Sequence, residues 1–207
     1  GGEGSGKSTQ AAILTEWLTD RDYDAILTHQ PGGTEIGREI RELVLHRPRD
    51  YMAPRTEALL YAADKAEHVD TVIRPALDRG AAVITDRYID SALAYQGGGR
   101  ELEVAEVRLV SRWATGGLRP HLTVLLDIPP EVGLARIDGD SDRLEQESLD
   151  FHETVRQHFL DLAALDPDRY VVVDATQGTM EIAARIRASV EPMLSAVHRR
   201  TPTSERT

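Results

Sequence analysis

Four short aliphatic runs, Asp24–Thr28, Ala81–Thr85, Leu122–Asp127 and Tyr170–Asp174, recur along the chain with segments of helical period between them. Runs that are apolar at almost every position suit strands covered on both faces, whereas a half-exposed strand would alternate. The intervening segments predict helices over Lys7–Thr19, Glu35–Leu45, Arg55–Arg79, Glu103–Thr115, Pro130–Ile137, Leu149–Ala164 and Thr179–Val197. Gly80 and Gly116 stand where helix C-caps are wanted. Strand alternating with helix specifies an α/β fold, a parallel sheet with helices on both faces that binds its ligands at the carboxyl ends of the strands.

At 207 residues this is a single domain, expected over 1–198, with a polar tail at 199–207 expected to be disordered. The formal charge of −11 argues against a nucleic-acid partner, and any anionic ligand must be held by local positive groups. The absence of cysteine excludes a disulfide scaffold, a thiol nucleophile and Cys-ligated zinc, and fits a cytoplasmic location. No apolar run approaches ~18 residues, so no membrane partner is expected of this segment. His29, His46, His68, His121, His152, His158 and His198 show no ligand spacing, and surface or capping roles are expected for most of them. The sequence opens at Gly1 inside a motif that normally follows a strand, which suggests an N-terminal truncation.

Gly1-Gly2-Glu3-Gly4-Ser5-Gly6-Lys7-Ser8 fits G-x-x-x-x-G-K-[ST] at every fixed position. Glycines let backbone N–H groups turn inward around phosphate oxygens, and the helix starting at Lys7 points its positive end at them. Residues Gly1 to Thr9 are therefore the candidate ATP site, with Lys7 on the β/γ-phosphates and the Ser8 hydroxyl on Mg²⁺. This motif specifies a nucleoside triphosphate and leaves the reaction open. Asp86-Arg87-Tyr88 closes the second aliphatic run. A carboxylate there can hold Mg²⁺ beside Ser8, and Arg87 can clamp a phosphoryl group, although an Asp–Arg surface turn has the same sequence. Tyr61 and Lys65 share one helix face and suit a base and its phosphate; a core tyrosine beside a solvated lysine reads equally well. Arg41, Gln96 and Gly97–Gly99 carry the same ambiguity. A polar, acidic stretch between Pro130 and Leu149, in which Arg136 and Arg143 flank Gly139 as hinge candidate, suits a lid over about 137–148 that brings an arginine to the transferring group, or a solvated loop.

In this order, GGEGSGKSTQ, LTHQPGGTEIGREIREL, ALLYAADKAEHV, ITDRYIDSALAYQGGGR and SDRLEQESLDFHETVRQHFL resemble segments of bacterial thymidylate kinases, from Gly1 to about Leu160. The resemblance implies a P-loop nucleoside monophosphate kinase fold with a five-stranded parallel sheet, its first strand missing from this chain. It also implies transfer of the γ-phosphoryl group of ATP to dTMP with Mg²⁺, in dTTP synthesis, by a homodimer. By the same resemblance Glu3 meets the deoxyribose 3′-hydroxyl, Tyr61 stacks on thymine, and Arg41 and Gln96 read its polar edge. Arg87 and Lys65 hold the dTMP phosphate, Ser91 and Tyr95 belong to the acceptor site, and Pro31–Thr34 closes over it. Gly2, Glu3, Gly4 and Ser5 include no arginine, so Arg143 or Arg136 in the lid takes the catalytic role. The sequence departs from the family pattern at His29-Gln30, where Arg-Glu is usual, at Lys65, where arginine is common, and in a short acidic lid. These departures keep two other readings open: another nucleoside monophosphate or deoxynucleoside kinase, and a catalytically weak nucleotide-binding module of a larger fused protein.

Overall fold

Each aliphatic run forms a strand within a residue of its expected bounds. β1 (Ala25–His29) pairs in parallel with β2 (Ala82–Asp86), Ala25 opposite Ala82 and His29 opposite Asp86. β3 (Thr123–Asp127) pairs in parallel with β4 (Tyr170–Asp174), Thr123 opposite Tyr170 and Asp127 opposite Asp174. The structure is a computed structural model describing residues 1–48, 51–100, 102–137 and 142–197. Among these residues the strands number four, in two two-stranded sheets, and not the five of a single sheet. No described residue ahead of Lys7 is in a ladder; Gly1 instead lies against β3, where a Cβ would come 2.1 Å from the Leu126 carbonyl oxygen.

Alternation along the strands covers both faces, as their apolar composition requires. Leu125 and Tyr170 face a cluster with Tyr95, Val155 and Phe159. Leu126 and Val173 face the opposite way, onto Ile182 and Ile186. In the other pair Ala82 and Ile84 meet Trp17 and Leu18, while Val83 packs with Val69 and Ile73.

Helices α1 (Lys7–Thr19), α2 (Glu35–Leu45), α3 (Pro54–His68), α6 (Val104–Ala114), α8 (Leu149–Leu165) and α9 (Thr179–Val190) fall where periodicity places them. Thr34 caps α2 by accepting the Gly37 N–H at 2.9 Å, and Ser148 caps α8 by accepting the Phe151 N–H at 3.2 Å. The expected long helix over Arg55–Arg79 is realised as α3, a π turn at Val69–Ile73, and α4 (Arg74–Asp78). Pro75 has no N–H to return to the Thr71 carbonyl, and the helix widens just before it. Pro192 has a similar effect after α9, where the expected helix to Val197 gives way to a 3₁₀ segment, Glu191–Ala196. α7 is shorter than expected, Pro130–Leu134. Periodicity does not signal α5 (Ile89–Ala92) and its continuation as a π turn, Leu93–Gly99, because three consecutive glycines have almost no helix propensity. The lid residues 138–141, with Gly139, and the tail 199–207 lie outside the described residues. No helix among the described residues is long and apolar enough to cross a membrane.

Candidate active site

The loop ahead of α1 and the carboxyl ends of β1 and β2 open onto one cavity of about 520 Å³. Gly4 has φ 64°, and a Cβ there would lie 1.8 Å from the Gly133 carbonyl oxygen, so only glycine lets the loop approach α7 so closely. Gly6, at φ 84°, turns the chain into α1. The Lys7 ammonium folds back onto this loop, donating to the Gly2 carbonyl at 2.6 Å. Burial, then the neighbouring Arg87, pulls its pKa down to about 8. Ser8 Oγ donates to Asp86 Oδ2 at 2.5 Å, while Asp86 Oδ1 is buried with no hydrogen-bond partner. Two hard oxygen ligands with an open acceptor between loop and strand end fit a Mg²⁺ ion.

Arg87 follows in the left-handed region at φ 68°, a strained conformation for a non-glycine residue of the kind that collects at functional sites. Its Nη2 lies 2.7 and 2.8 Å from the two carboxylate oxygens of Glu3, and Tyr95 Oη donates to Glu3 Oε1 at 2.7 Å. Burial alone would raise the Glu3 pKa. Arg87, Lys7 and the Tyr95 hydrogen bond outweigh it and hold the carboxyl at about 2. Burial pushes the Tyr95 hydroxyl up, so it remains a donor at neutral pH.

Across the cavity stand Tyr61 and Lys65 of α3. Lys65 Nζ donates to the Tyr61 carbonyl at 3.1 Å and lies 5.4 Å from its ring centroid. Burial lowers the Lys65 pKa to about 8 against the opposing pull of Asp64. The segment after β1 is fixed from below: Asp64 Oδ1 accepts the Gly32 N–H at 3.0 Å, and Arg41 donates to the Pro31 carbonyl at 3.1 Å. His68, fully buried, bridges Thr28 Oγ1 at 2.6 Å and Gln30 Nε2 at 2.8 Å.

The structure brings Glu3, Gly4, Gly6, Lys7, Ser8, Thr9, Arg41, Tyr61, Lys65, Asp86, Arg87, Ser91, Tyr95 and Gln96 to the wall of this one cavity. Gly1, Gly2 and Ser5 do not line it; Ser5 is buried, its hydroxyl donating to the Gly2 carbonyl at 2.8 Å. Neither lid arginine reaches the wall. Arg143 is 3 % exposed, with Nε on the Val44 carbonyl at 2.7 Å and Nη2 on Glu57. Two of its N–H donors are thus spent inside the protein, and the guanidinium does not line the cavity. Arg136 donates to the Ala175 carbonyl at 2.9 Å.

In place of arginine, the lid contributes Asp142 and Glu145 to the wall. Burial, then Asp142 and Glu3 nearby, raises the Glu145 pKa. Sequence reasoning missed these two, together with buried His68 and Glu57. Only the position of Glu57, one turn before Tyr61 on the same helix face, could have signalled it.

A phosphate loop, a strand-end aspartate beside its serine, and an arginine and an aromatic helix sharing one cavity define a P-loop kinase of the nucleoside monophosphate type. The family model for thymidylate kinase matches residues 1–186. The chain is 55 % identical over 199 residues to the thymidylate kinase of Clavibacter michiganensis subsp. michiganensis, covering 95 % of this chain and 94 % of that protein. It is 53 % identical over 194 residues to the thymidylate kinase of Synechococcus sp. strain JA-2-3B'a(2-13), covering 94 % and 93 %. The crystal structure of thymidylate kinase from Ehrlichia chaffeensis superposes with a TM-score of 0.74 at 27 % identity, over 90 % of this chain and 93 % of that one. The chain belongs to the thymidylate kinase family and is an enzyme.

Proposed function

We propose that this enzyme transfers the γ-phosphoryl group of ATP to dTMP, giving dTDP and ADP for dTTP synthesis. The bond from the γ-phosphorus to the β–γ bridging oxygen breaks, and a bond from that phosphorus to a dTMP phosphate oxygen forms. The attacking oxygen is already anionic, so no general base is needed, and the barrier lies in bringing two anions together. Lys7 and Arg87 supply fixed positive charge, and the loop amides add N–H donors. Ser8 and Asp86 would hold a Mg²⁺ ion, which would supply neutralising charge to the nucleotide phosphates. Glu3 orients Arg87; with four lone-pair positions it still has room to accept the deoxyribose 3′-hydroxyl. Tyr61 stacks on thymine, Arg41 and Gln96 meet its polar edge, and Lys65 grips the dTMP phosphate. Ser91 and Tyr95 complete the acceptor wall, with Asp142 and Glu145 beside them.

The observation that carries this reading is the shared wall. The phosphate-transfer groups Lys7, Ser8, Asp86 and Arg87 adjoin the base-recognition groups Tyr61, Arg41 and Gln96 around one cavity. The test is an acceptor panel of dTMP, dUMP, dCMP, AMP and GMP with ATP and Mg²⁺. Turnover should be highest with dTMP, and equal rates with AMP would refute the assignment. The enzyme acts as a homodimer through α6, whose Leu109 and Trp113 stand one turn apart at 68 % and 85 % exposure. Light scattering that gave a monomer mass at every concentration would refute that pairing.

A further inference from the structure

We propose that Glu57 determines which pyrimidine the acceptor site takes, by fixing the orientation of the Gln96 amide. The proposal rests on the dTMP reading above and adds a residue outside the cavity wall. Glu57 is 1 % exposed on α3, and its carboxylate is held from several sides. Oε1 accepts from Gln96 Nε2 at 3.0 Å and from Arg100 Nε at 3.4 Å, and Oε2 accepts from Arg143 Nη2. The two arginines are themselves tied down, Arg143 to the Val44 carbonyl and Arg100 to Glu147 at 2.5 Å.

A carboxylate between two guanidinium groups offers acceptors only. The amide end facing it must therefore be the NH₂ end, whichever way the side chain would otherwise settle. Gln96 is 2 % exposed and lines the cavity, so its carbonyl oxygen is the part left to accept from a ligand. Thymine and uracil carry a donor at N3, and an oxygen acceptor suits both. Cytosine has a lone pair at N3, and the two acceptors would face each other in a buried site. Leaving such groups unpaired discriminates strongly. Glu57 is a positioning residue in this scheme: it never touches the nucleotide and acts only through Gln96.

Steady-state kcat/KM for dTMP, dUMP and dCMP tests this on the native enzyme, Glu57→Gln, Gln96→Leu and the double variant. A glutamine at 57 can donate to Gln96 Oε1, so Gln96 can turn its NH₂ toward the base. Glu57→Gln should raise the dCMP:dTMP ratio about tenfold or more, chiefly through KM, while dUMP:dTMP stays within about twofold. In the Gln96→Leu background the same change should leave the dCMP:dTMP ratio where it was. Equal losses on all three acceptors, or an effect of Glu57→Gln that survives Gln96→Leu, would overturn the proposal. If melting shows that Glu57→Gln does not fold, Glu57→Asp takes its place, since it keeps the charge between the two arginines and draws the carboxylate back from the Gln96 amide by one methylene. A dCMP:dTMP ratio raised by Glu57→Asp in the native background, and not in Gln96→Leu, supports the proposal, and an unchanged ratio overturns it. Absence of dTMP turnover by the native enzyme would instead defeat the functional reading.

Discussion

Arg87 grips both carboxylate oxygens of Glu3, at 2.7 and 2.8 Å, and so ties the strand end after β2 to the phosphate loop 84 residues earlier. The contact fixes a guanidinium beside the Lys7 ammonium before any nucleotide arrives. Glu3 offsets the repulsion between those two cations, which makes the site ready for anions. Arg87→Ala is expected to lower kcat/KM for dTMP by about 10²–10³, the usual cost of removing one group that stabilises transition-state charge. Far-UV circular dichroism should remain native. Near-native rates in the variant would remove Arg87 from the chemistry.

Arg143 should behave in the opposite way. Its loss leaves Glu57 buried beside Arg100 with one partner gone, and breaking such a pair from one side costs about 3–5 kcal/mol. Arg143→Met is therefore expected to shift the urea midpoint sharply while the rate per folded molecule falls much less than in Arg87→Ala. A hundredfold loss of turnover at unchanged stability, about 2.7 kcal/mol of barrier, would return Arg143 to the catalytic role that its lid position suggests.

Acid should weaken the fold in two windows. Burial, helped by His29, lowers the His68 pKa from 6.5 to about 4, so the neutral ring is favoured in the native state. The unfolded chain then binds the extra proton between those values, and stability falls as pH drops from about 6.5 to 4, by on the order of 3 kcal/mol. Glu3 is depressed from 4.5 to about 2, so its contribution is complete above 4.5 and is lost as pH falls toward 2. Urea titrations across pH should show both declines, and His68→Gln should flatten only the upper one. An unchanged upper decline in that variant would exclude His68 as its source.

How far the sequence could be read follows from where each signal lies. The strands, α1 and the phosphate loop are local patterns, set by aliphatic runs and by glycines at fixed spacing. Tyr61, Lys65, Asp86 and Arg87 were nameable from such spacing, yet nothing local said that they would share a cavity with Arg41 and Gln96. Glu57 and Arg143 meet across 86 residues, and His68 meets Thr28 across 40, so neither pairing leaves a trace in its own segment. Arg143 read as a lid arginine because its sequence neighbours are acidic and polar. Glu57, its buried partner, leaves only the faint local signal of lying one turn before Tyr61 on the same helix face. Helix over Leu93–Gly99 was equally hidden, since packing on α8 overrides the glycines' low propensity.

Alkaline pH should cut activity from the free-enzyme side. Burial, with Arg87 adding to it at Lys7, brings both Lys7 and Lys65 to about 8. Since kcat/KM reports groups of the free enzyme, its profile for dTMP should fall above about pH 8 as these ammonium groups lose their protons. Lys65→Arg should move the part due to Lys65 to higher pH, because a guanidinium stays charged. A flat profile to pH 10 would contradict the assignment of both lysines to phosphate binding.

The proposed mechanism places donor and acceptor end to end in one cavity, with Lys7 and Arg87 between them. Calorimetric titration with adenosine and thymidine joined 5′ to 5′ through five phosphates measures this directly. Linking the two halves should make the compound bind one per chain, at least ~10²-fold tighter than ATP or dTMP alone. Lys7→Ala and Arg87→Ala should each weaken it. Affinity no better than that of ATP, unchanged in both variants, would contradict the shared cavity.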